Sequence, residues 1–383
     1  MTEAVDVVIV GGGAIGEAVA TFLLEDPAFD GTVAIIERDP TFRRASSALS
    51  AASIRQQFST PENIRMSRFS FGWLRDTVDV GLHESGYLYL APPTWVAALE
   101  ANHATQQTEG VDAVILTPGE LAARFPWLSV EGVALASLGL SGEGWFDGYE
   151  LLQRLRTRAR DLGARLVTGE VVGIDVDGGR VVSVVLGDGA TIACGSLVDA
   201  AGPWAGAIAA MAGVSLPVEA RRRSVFVFEA RTPMVDCPLV IDTSGAWFRP
   251  EGGAFIAGIA PPRDKDAADL PLDVDQREFE GRLWPALANR VPAFDAVRVT
   301  NAWAGYYEVN TFDHNAIIGP HPEISNLLFA NGFSGHGIQH APAAGRAIAE
   351  LLVHDRYQTL DLSVFAFDRI AAGRPVVERA VIG

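Results

Sequence analysis

The sequence predicts a mixed α/β (α+β) fold in which a Rossmann-like dinucleotide-binding domain is interleaved with a β-rich substrate-binding domain. Three stretches carry that prediction: a strand–glycine–helix–strand unit over residues 5–37, hairpin signals over 165–199, and a strand-dominated region over 218–304. At 383 residues the chain exceeds one typical domain. No internal repeat or low-complexity linker separates these stretches, so the Rossmann-like material at both ends and in the middle is read as one discontinuous domain.

The first unit begins with "VDVVIV" at 5–10, a short apolar run of the kind a buried parallel strand needs. Gly11, Gly13 and Gly16 follow in G-x-G-x-x-G spacing, and a helix runs to about Glu25. "DPAFDG" ends it, and "TVAIIE" returns as a strand closing on Glu37. The glycine spacing alone says little. Strand, glycines, helix, strand and an acid about twenty residues on, all in register, specify a dinucleotide site. Glycines let backbone N–H groups and the helix N-terminus approach a pyrophosphate, and Glu37 is placed to accept from a ribose hydroxyl.

The net charge is −17, and Arg221-Arg222-Arg223 is the only dense basic cluster, so no nucleic-acid partner is expected. Cys194 and Cys237 make neither a disulfide framework nor a metal site, which points to a reducing compartment. The apolar N-terminal run carries Asp6, Glu17 and four glycines, which argues against a signal peptide and a membrane span. A cytoplasmic location is expected. The single lysine, Lys265, nearly excludes lysine chemistry.

Residues 62–76, 95–109 and about 149–164 read as helices, and "GYLYL" as a strand. The stretch from Arg165 to Val198, broken by "DGG" and "GDGA", reads as a β-meander. It ends on "LVDAAGPWAGAIAAMAG", where Gly202 suits close backbone approach to a ligand and Pro203 a helix start. "RRRSVFVFEA", "PLVIDT", "AWFRP", "AFIAGIA" and "VRVTNAWAG" read as strands. In "NGFSGHGIQHAPAAGRAIAELL", His336 and His340 stand four apart but lack the inner glutamate of a zinc-peptidase helix. Gly335 and Gly337 flank His336, and Pro342 suits a helix start better than its interior. The two imidazoles are therefore expected not to share a helical face, and no metal is expected. The glycines are read as the purposeful part: they bring backbone N–H groups and a helix N-terminus to a ligand.

In this order, "VIVGGGAIG", "SSALSAASIRQQF", "VDAAGPWA" and "TFDHNAIIG" followed by "FANGFSGHGIQHAPAAGRAIAELL" resemble the FAD-dependent amine and amino-acid oxidoreductase superfamily. That group includes D-amino-acid oxidases and dehydrogenases, glycine oxidase and sarcosine oxidase. "IRQQFSTPENIRMS" and "WAGYYEVNTFDHNAIIGPHP" are most similar to sarcosine-oxidase-β-like proteins and to FAD proteins associated with complex I assembly. The resemblance implies an FAD-binding domain of residues 1–80, 145–217 and 312–383, and a substrate-binding domain of 81–144 and 218–311. It also implies an extended FAD on Gly11, Gly13, Ala14, Ile15 and Gly16, with the adenosine ribose at Glu37 and Arg38. Val172 is implied to meet the adenine through its backbone. Ser46, Ser47, Ala201, Gly202, Trp204, Gly335, His336, Gly337, Ile338 and Gln339 complete the implied cofactor set.

Oxidising an amino acid by flavin is a hydride transfer, to which the protein contributes position, electrostatics and exclusion of water. A substrate carboxylate calls for arginine. By the resemblance, Arg55 is the first candidate and Arg223 the second, with Trp247, Phe248, Tyr306 and Tyr307 walling the cavity and His336 beside flavin or substrate. Three departures from the sarcosine oxidases matter. Tyr306 replaces the cysteine that attaches flavin, which implies non-covalent FAD; Ile256 replaces the lysine that promotes reaction with oxygen; Gln339 replaces a lysine that assists carboxylate binding. The expected activity is dehydrogenation of a D-amino or N-substituted amino acid, more as a dehydrogenase than an oxidase, with a quinone, electron-transfer protein or O2 as acceptor. Two alternatives stand beside it: an FAD-binding assembly protein with little turnover, and a 2-hydroxy-acid dehydrogenase with His336 as base.

Overall fold

The computed structural model describes residues 3–232 and 234–379, so residues 1–2 and 380–383 of the expected first domain lie outside the described residues. Strand β1 (Glu3–Val10) is apolar on both faces, and the sheet accordingly buries both: Val7 and Ile9 enter one core, Val8 and Val10 another. It pairs in parallel with β2 (Val33–Glu37) on one side and β3 (Thr191–Asp199) on the other. Arg165–Thr168 extends this sheet beyond β2, and Leu327–Asn331 and Ile317–Pro320 extend it beyond β3. The meander is present: Val171–Asp177, Arg180–Leu186 and β3 are successive antiparallel neighbours.

The second sheet gathers strands from 87–139 and 218–310. Its long members are β4 (Val218–Ala230), β5 (Ala246–Glu251) and β6 (Val297–Asn310). β4 pairs antiparallel with β6 on one side and with Ala254–Ile259 on the other. The period of two holds along β4: Phe226 and Phe228 are wholly buried in this sheet's own core, while Arg223 and Val225 face the cavity described below.

Helix α1 (Ala14–Glu25) starts directly after the glycine loop and ends where the sequence predicts. Helices α2 (Pro61–Thr77) and α3 (Val96–Thr108) match the stretches read as helical. Helix α4 (Gly337–His354) crosses α1 at very short range, because a Cβ on Gly345 would lie 2.6 Å from the Ala18 carbonyl carbon. Two proline expectations change. Pro203 opens a 3-10 turn, Gly202–Trp204, ahead of the short helix Ala205–Met211. Pro342 lies inside α4 rather than at its start. It removes only the N–H that would bond the Ile338 carbonyl, while buried Ala341, Ala343, Ala344 and Gly345 hold this stretch in the core shared with α1. Among the described residues, no helix is long and apolar enough to cross a membrane.

Gly345→Val should cost about 1–3 kcal/mol through overpacking against Ala18, read as a lower denaturation midpoint. An unchanged midpoint would show that the two helices separate freely.

Candidate active site

The glycine loop is closed by contacts that no larger residue would tolerate. Gly11 has φ +105°, and a Cβ there would lie 2.3 Å from the Ala200 carbonyl oxygen; one on Gly16 would lie 2.0 Å from the Gly11 oxygen. Glu37 accepts from the N–H groups of Gly12 at 2.9 Å and Asp39 at 2.8 Å, which fixes its carboxylate at the loop. Ser47 Oγ accepts from the Ala14 N–H at 2.9 Å and ties the 46–55 segment to the start of α1. Arg38 lies over the Trp204 ring at 3.7 Å, and Trp204 meets Tyr306 edge to face. Ala201 donates its N–H to Asp199, and Gly202 takes φ +58°. Val172 stands on the exposed side of its strand.

Between the second sheet and the starts of α1 and α4 lies a cavity of about 160 Å3. Of the expected residues, it brings together Ala14, Ile15, Ser46 and Ser47 with Arg55, Arg223, Trp247, Tyr306 and Tyr307, and with Gly335, His336, Gly337, Ile338 and Gln339. Phe248 is not among its walls. It is the wholly buried neighbour of Trp247 on β5, and alternation turns it into the core of the second sheet.

Arg55 is 5% exposed, its guanidinium 4.7 Å from the Phe58 ring centre and 5.5 Å from that of Tyr89. Its Nη2 lies 2.7 Å from His336 Nε2. A guanidinium only donates, so His336 Nε2 accepts and the imidazole proton sits on Nδ1. Burial, then the adjacent Arg55 charge, hold His336 well below the usual histidine range, so it is neutral. Gln339 Oε1 accepts from the Arg55 backbone N–H at 2.8 Å. Arg223 is committed differently: its Nη1 and Nη2 form a fork on Asp266 at 2.7 and 3.0 Å, above the Tyr307 ring. Tyr307 also backs Gly335, where a Cβ would lie 2.5 Å from its ring.

The two histidines do adjoin, contrary to the sequence reading. His336 caps α4, the His340 N–H bonds its carbonyl at 3.2 Å, and the ring centres are 6.2 Å apart. The helix continuing through Pro342 is the reason. His340 Nε2 is 3.0 Å from Ser67 Oγ, and burial lowers its pKa to about 3. Among the described residues, no group of three His, Cys, Asp or Glu side chains could hold a metal.

Two acids escaped the sequence reading. Glu308, on β6, lines the cavity; its Oε2 accepts from the Gly332 N–H at 3.2 Å, and its Oε1 would touch a Cβ on Gly337 at 2.9 Å. Burial, with buried Asp199 nearby, raises its pKa to about 8. A lone acid in the inward register of "GYYEVN" was the available signal. Glu143 is fully buried, and its Oε1 accepts from the N–H groups of Gln56 at 2.6 Å and Gln57 at 3.0 Å. In "SGEGW" it looks like part of a solvent turn.

A profile described as DAO, FAD dependent oxidoreductase, matches residues 6–351. The chain belongs to that family. FAD-dependent oxidoreductase domain-containing protein 1 of Xenopus laevis is 41% identical, across 99% of this chain and 85% of that protein. Glycine oxidase of Geobacillus kaustophilus is 29% identical, across 96% and 98%. Among solved structures, L-proline dehydrogenase from P. horikoshii superposes with TM-score 0.86 at 26% identity, covering 98% of this chain and 100% of that one. The protein is thus an FAD-dependent oxidoreductase with a Rossmann-like fold.

The residues present fit FAD. The loop's glycines let its backbone pack directly on Ala200 and on itself, and it stands at the N-terminus of a 12-residue helix, where backbone N–H groups can meet a pyrophosphate. Beside it, Ser46 Oγ and Arg38 Nη2 are buried without a hydrogen-bond partner among the described residues, as groups meant for a polar ligand would be.

The raised Glu308 pKa has a stability consequence. An unfolded glutamate loses its proton near 4.5, whereas the folded one keeps it to about 8. Between those values the native state binds more protons, so stability is fullest below 4.5 and falls as pH rises towards 8. Glu308→Gln should flatten that fall by at most about 1.4 kcal/mol per pH unit. Urea unfolding at several pH values reads it, and an unchanged slope would contradict the assignment.

Proposed function

We propose that the protein dehydrogenates a small N-substituted or D-amino acid, with non-covalent FAD as hydride acceptor and Arg55 as the anchor of the substrate carboxylate. The observation that carries this reading is Arg55: a permanent charge taken out of water beside a largely apolar cavity, next to an imidazole that is neutral. A guanidinium pairs with a carboxylate in two parallel hydrogen bonds and keeps its charge when desolvated. Glycine oxidase and L-proline dehydrogenase are named for small amino acids.

The chain's own residues then have distinct tasks. Leu239, Ile241, Tyr87 and Trp247 wall the cavity and exclude water. Apolar surroundings lower the pKa of a substrate ammonium, so its nitrogen can lose a proton without a dedicated base. Arg223 is left out of carboxylate binding because Asp266 occupies its fork. His336 is unsuited as the base of a 2-hydroxy-acid dehydrogenase, since its Nε2 lone pair is spent on Arg55. A purely structural role would not require a buried cation at an apolar cavity, which favours turnover over an assembly function alone.

Two features support a dehydrogenase with non-covalent FAD, passing electrons to a quinone or an electron-transfer protein. Ile256 is 2% exposed within its strand, and among the described residues no lysine lines the cavity. Tyr306 spends its hydroxyl on the Leu270 carbonyl at 2.7 Å, and neither cysteine lines the cavity.

Arg55→Ala should raise the half-saturating concentration of the amino acid by about 10- to 100-fold, the ~1.5–3 kcal/mol of a charge-assisted hydrogen bond. FAD content should be unchanged. Unchanged saturation would remove Arg55 from the substrate site. After anaerobic reduction, admission of air should restore the oxidised spectrum slowly; restoration within the mixing time would identify an oxidase.

A further inference from the structure

The loop from Arg55 to Thr60 has no regular secondary structure, yet its backbone donors are all accounted for. Arg55 N–H goes to Gln339, those of Gln56 and Gln57 go to Glu143, and that of Phe58 goes to the Gln56 carbonyl. The last two are taken by one remote carboxylate. Glu378 Oε2 accepts from the Ser59 N–H at 2.8 Å and Ser59 Oγ at 2.7 Å; its Oε1 accepts from the Thr60 N–H at 3.1 Å and Asn63 Nδ2 at 2.7 Å. These donors open α2, whose N-cap residue Thr60 makes no side-chain cap of its own. A carboxylate there satisfies orphan N–H groups and the positive end of the helix together.

The irregular stretch carrying Glu378 is stitched down on both sides of it. The Val376 N–H donates to Asp313 at 3.0 Å, and its carbonyl accepts from Asn315 at 2.8 Å. The Arg379 N–H donates to Ser59 Oγ at 2.9 Å, and its carbonyl accepts from Asn102 of α3 at 2.7 Å. Residues 376–379 therefore form a strap across the loop and the helices that follow it. What the strap holds is the platform of the site. Phe58 directly precedes Ser59, and its ring lies under the Arg55 guanidinium and edge-on to His336, with ring centres 5.2 Å apart.

We propose that Glu378 is a positioning residue for the substrate site: by clamping Ser59, Thr60 and Asn63 it fixes the loop that presents Phe58 and Arg55 to the cavity. It touches neither substrate nor cofactor, and it acts on carboxylate binding through the loop. The proposal deepens the reading of Arg55 as the carboxylate anchor and rests on it.

The test uses the FAD-loaded protein and the variants Glu378→Ala, Glu378→Asp and Arg55→Ala. Amide exchange over residues 55–60, followed by mass spectrometry, reads the clamp independently of turnover. Glu378→Ala should speed exchange there at least tenfold, leave exchange in β1 and α1 unchanged, and raise half-saturation by the substrate about tenfold while kcat changes less than threefold. Glu378→Asp should recover part of both effects. Unchanged exchange at 55–60, or faster exchange throughout the protein with unchanged half-saturation, would overturn the proposal and leave Glu378 as a fold-stabilising cap. Arg55→Ala separates the two levels. If it leaves half-saturation unchanged, the reading of the anchor fails, and the clamp is then judged by exchange alone.

Discussion

A permanently charged guanidinium held out of water is the constraint from which the site's organisation follows. Arg55 cannot shed its proton, so its surroundings must supply acceptors and polarisable faces or leave a costly buried charge. His336 gives its Nε2 lone pair, which fixes the imidazole as neutral and its proton on Nδ1. Phe58 and Tyr89 give aromatic faces. Further out, the backbone around Arg55 is pinned by side chains from distant parts of the chain: Gln339 from α4, Glu143 ahead of Trp145, and Glu378 from the strap. Each takes N–H groups that an irregular loop would otherwise leave unsatisfied in the interior.

The same region joins the two sheets. β6 belongs to the second sheet, yet its Glu308 reaches the turn before α4, bonding Gly332 and lying against Gly337. That turn and the Gly202 turn are both glycine-built, and Glu308 Oε2 lies 3.7 Å from where a Cβ on Gly202 would sit. Burial raises both Glu308 and its neighbour Asp199 to about 8, so at neutral pH neither carboxyl brings a negative charge to this position. The cavity thus carries a fixed positive group at Arg55 and, at neutral pH, an uncharged one at Glu308.

How much of this the sequence discloses depends on the range of the interaction that encodes it. The βαβ unit is legible because each part is local: an apolar run, glycines at fixed spacing, a helix, and Glu37 at the strand end. Alternation along β4 correctly separates Arg223 from Phe226, and the family resemblance brings Arg55, Trp247 and the 335–339 turn to one cavity. What the sequence does not disclose lies in long-range pairing. Asp266 sits 43 residues from Arg223 and takes its fork; nothing in "PPRDKDAAD" marks one of its three aspartates as a partner. Glu143 and Glu378 act through backbone N–H groups 87 and 319 residues away, a role without a residue pattern. Pro342 misled for a different reason. Local propensity disfavours it within a helix, but the close packing of α4 on α1 outweighs the loss of one hydrogen bond.

The most direct measurement of the central claim is anaerobic mixing of the FAD-loaded protein with matched small carboxylic acids that differ only at the α-substituent. The visible spectrum of FAD reports reduction without any assumption about the electron acceptor. Bleaching by N-methyl or D-amino acids, and none by the corresponding 2-hydroxy acids, is the expected result. Bleaching by the hydroxy acids alone, or by none of the panel, would contradict the assignment of this site to amino-acid dehydrogenation.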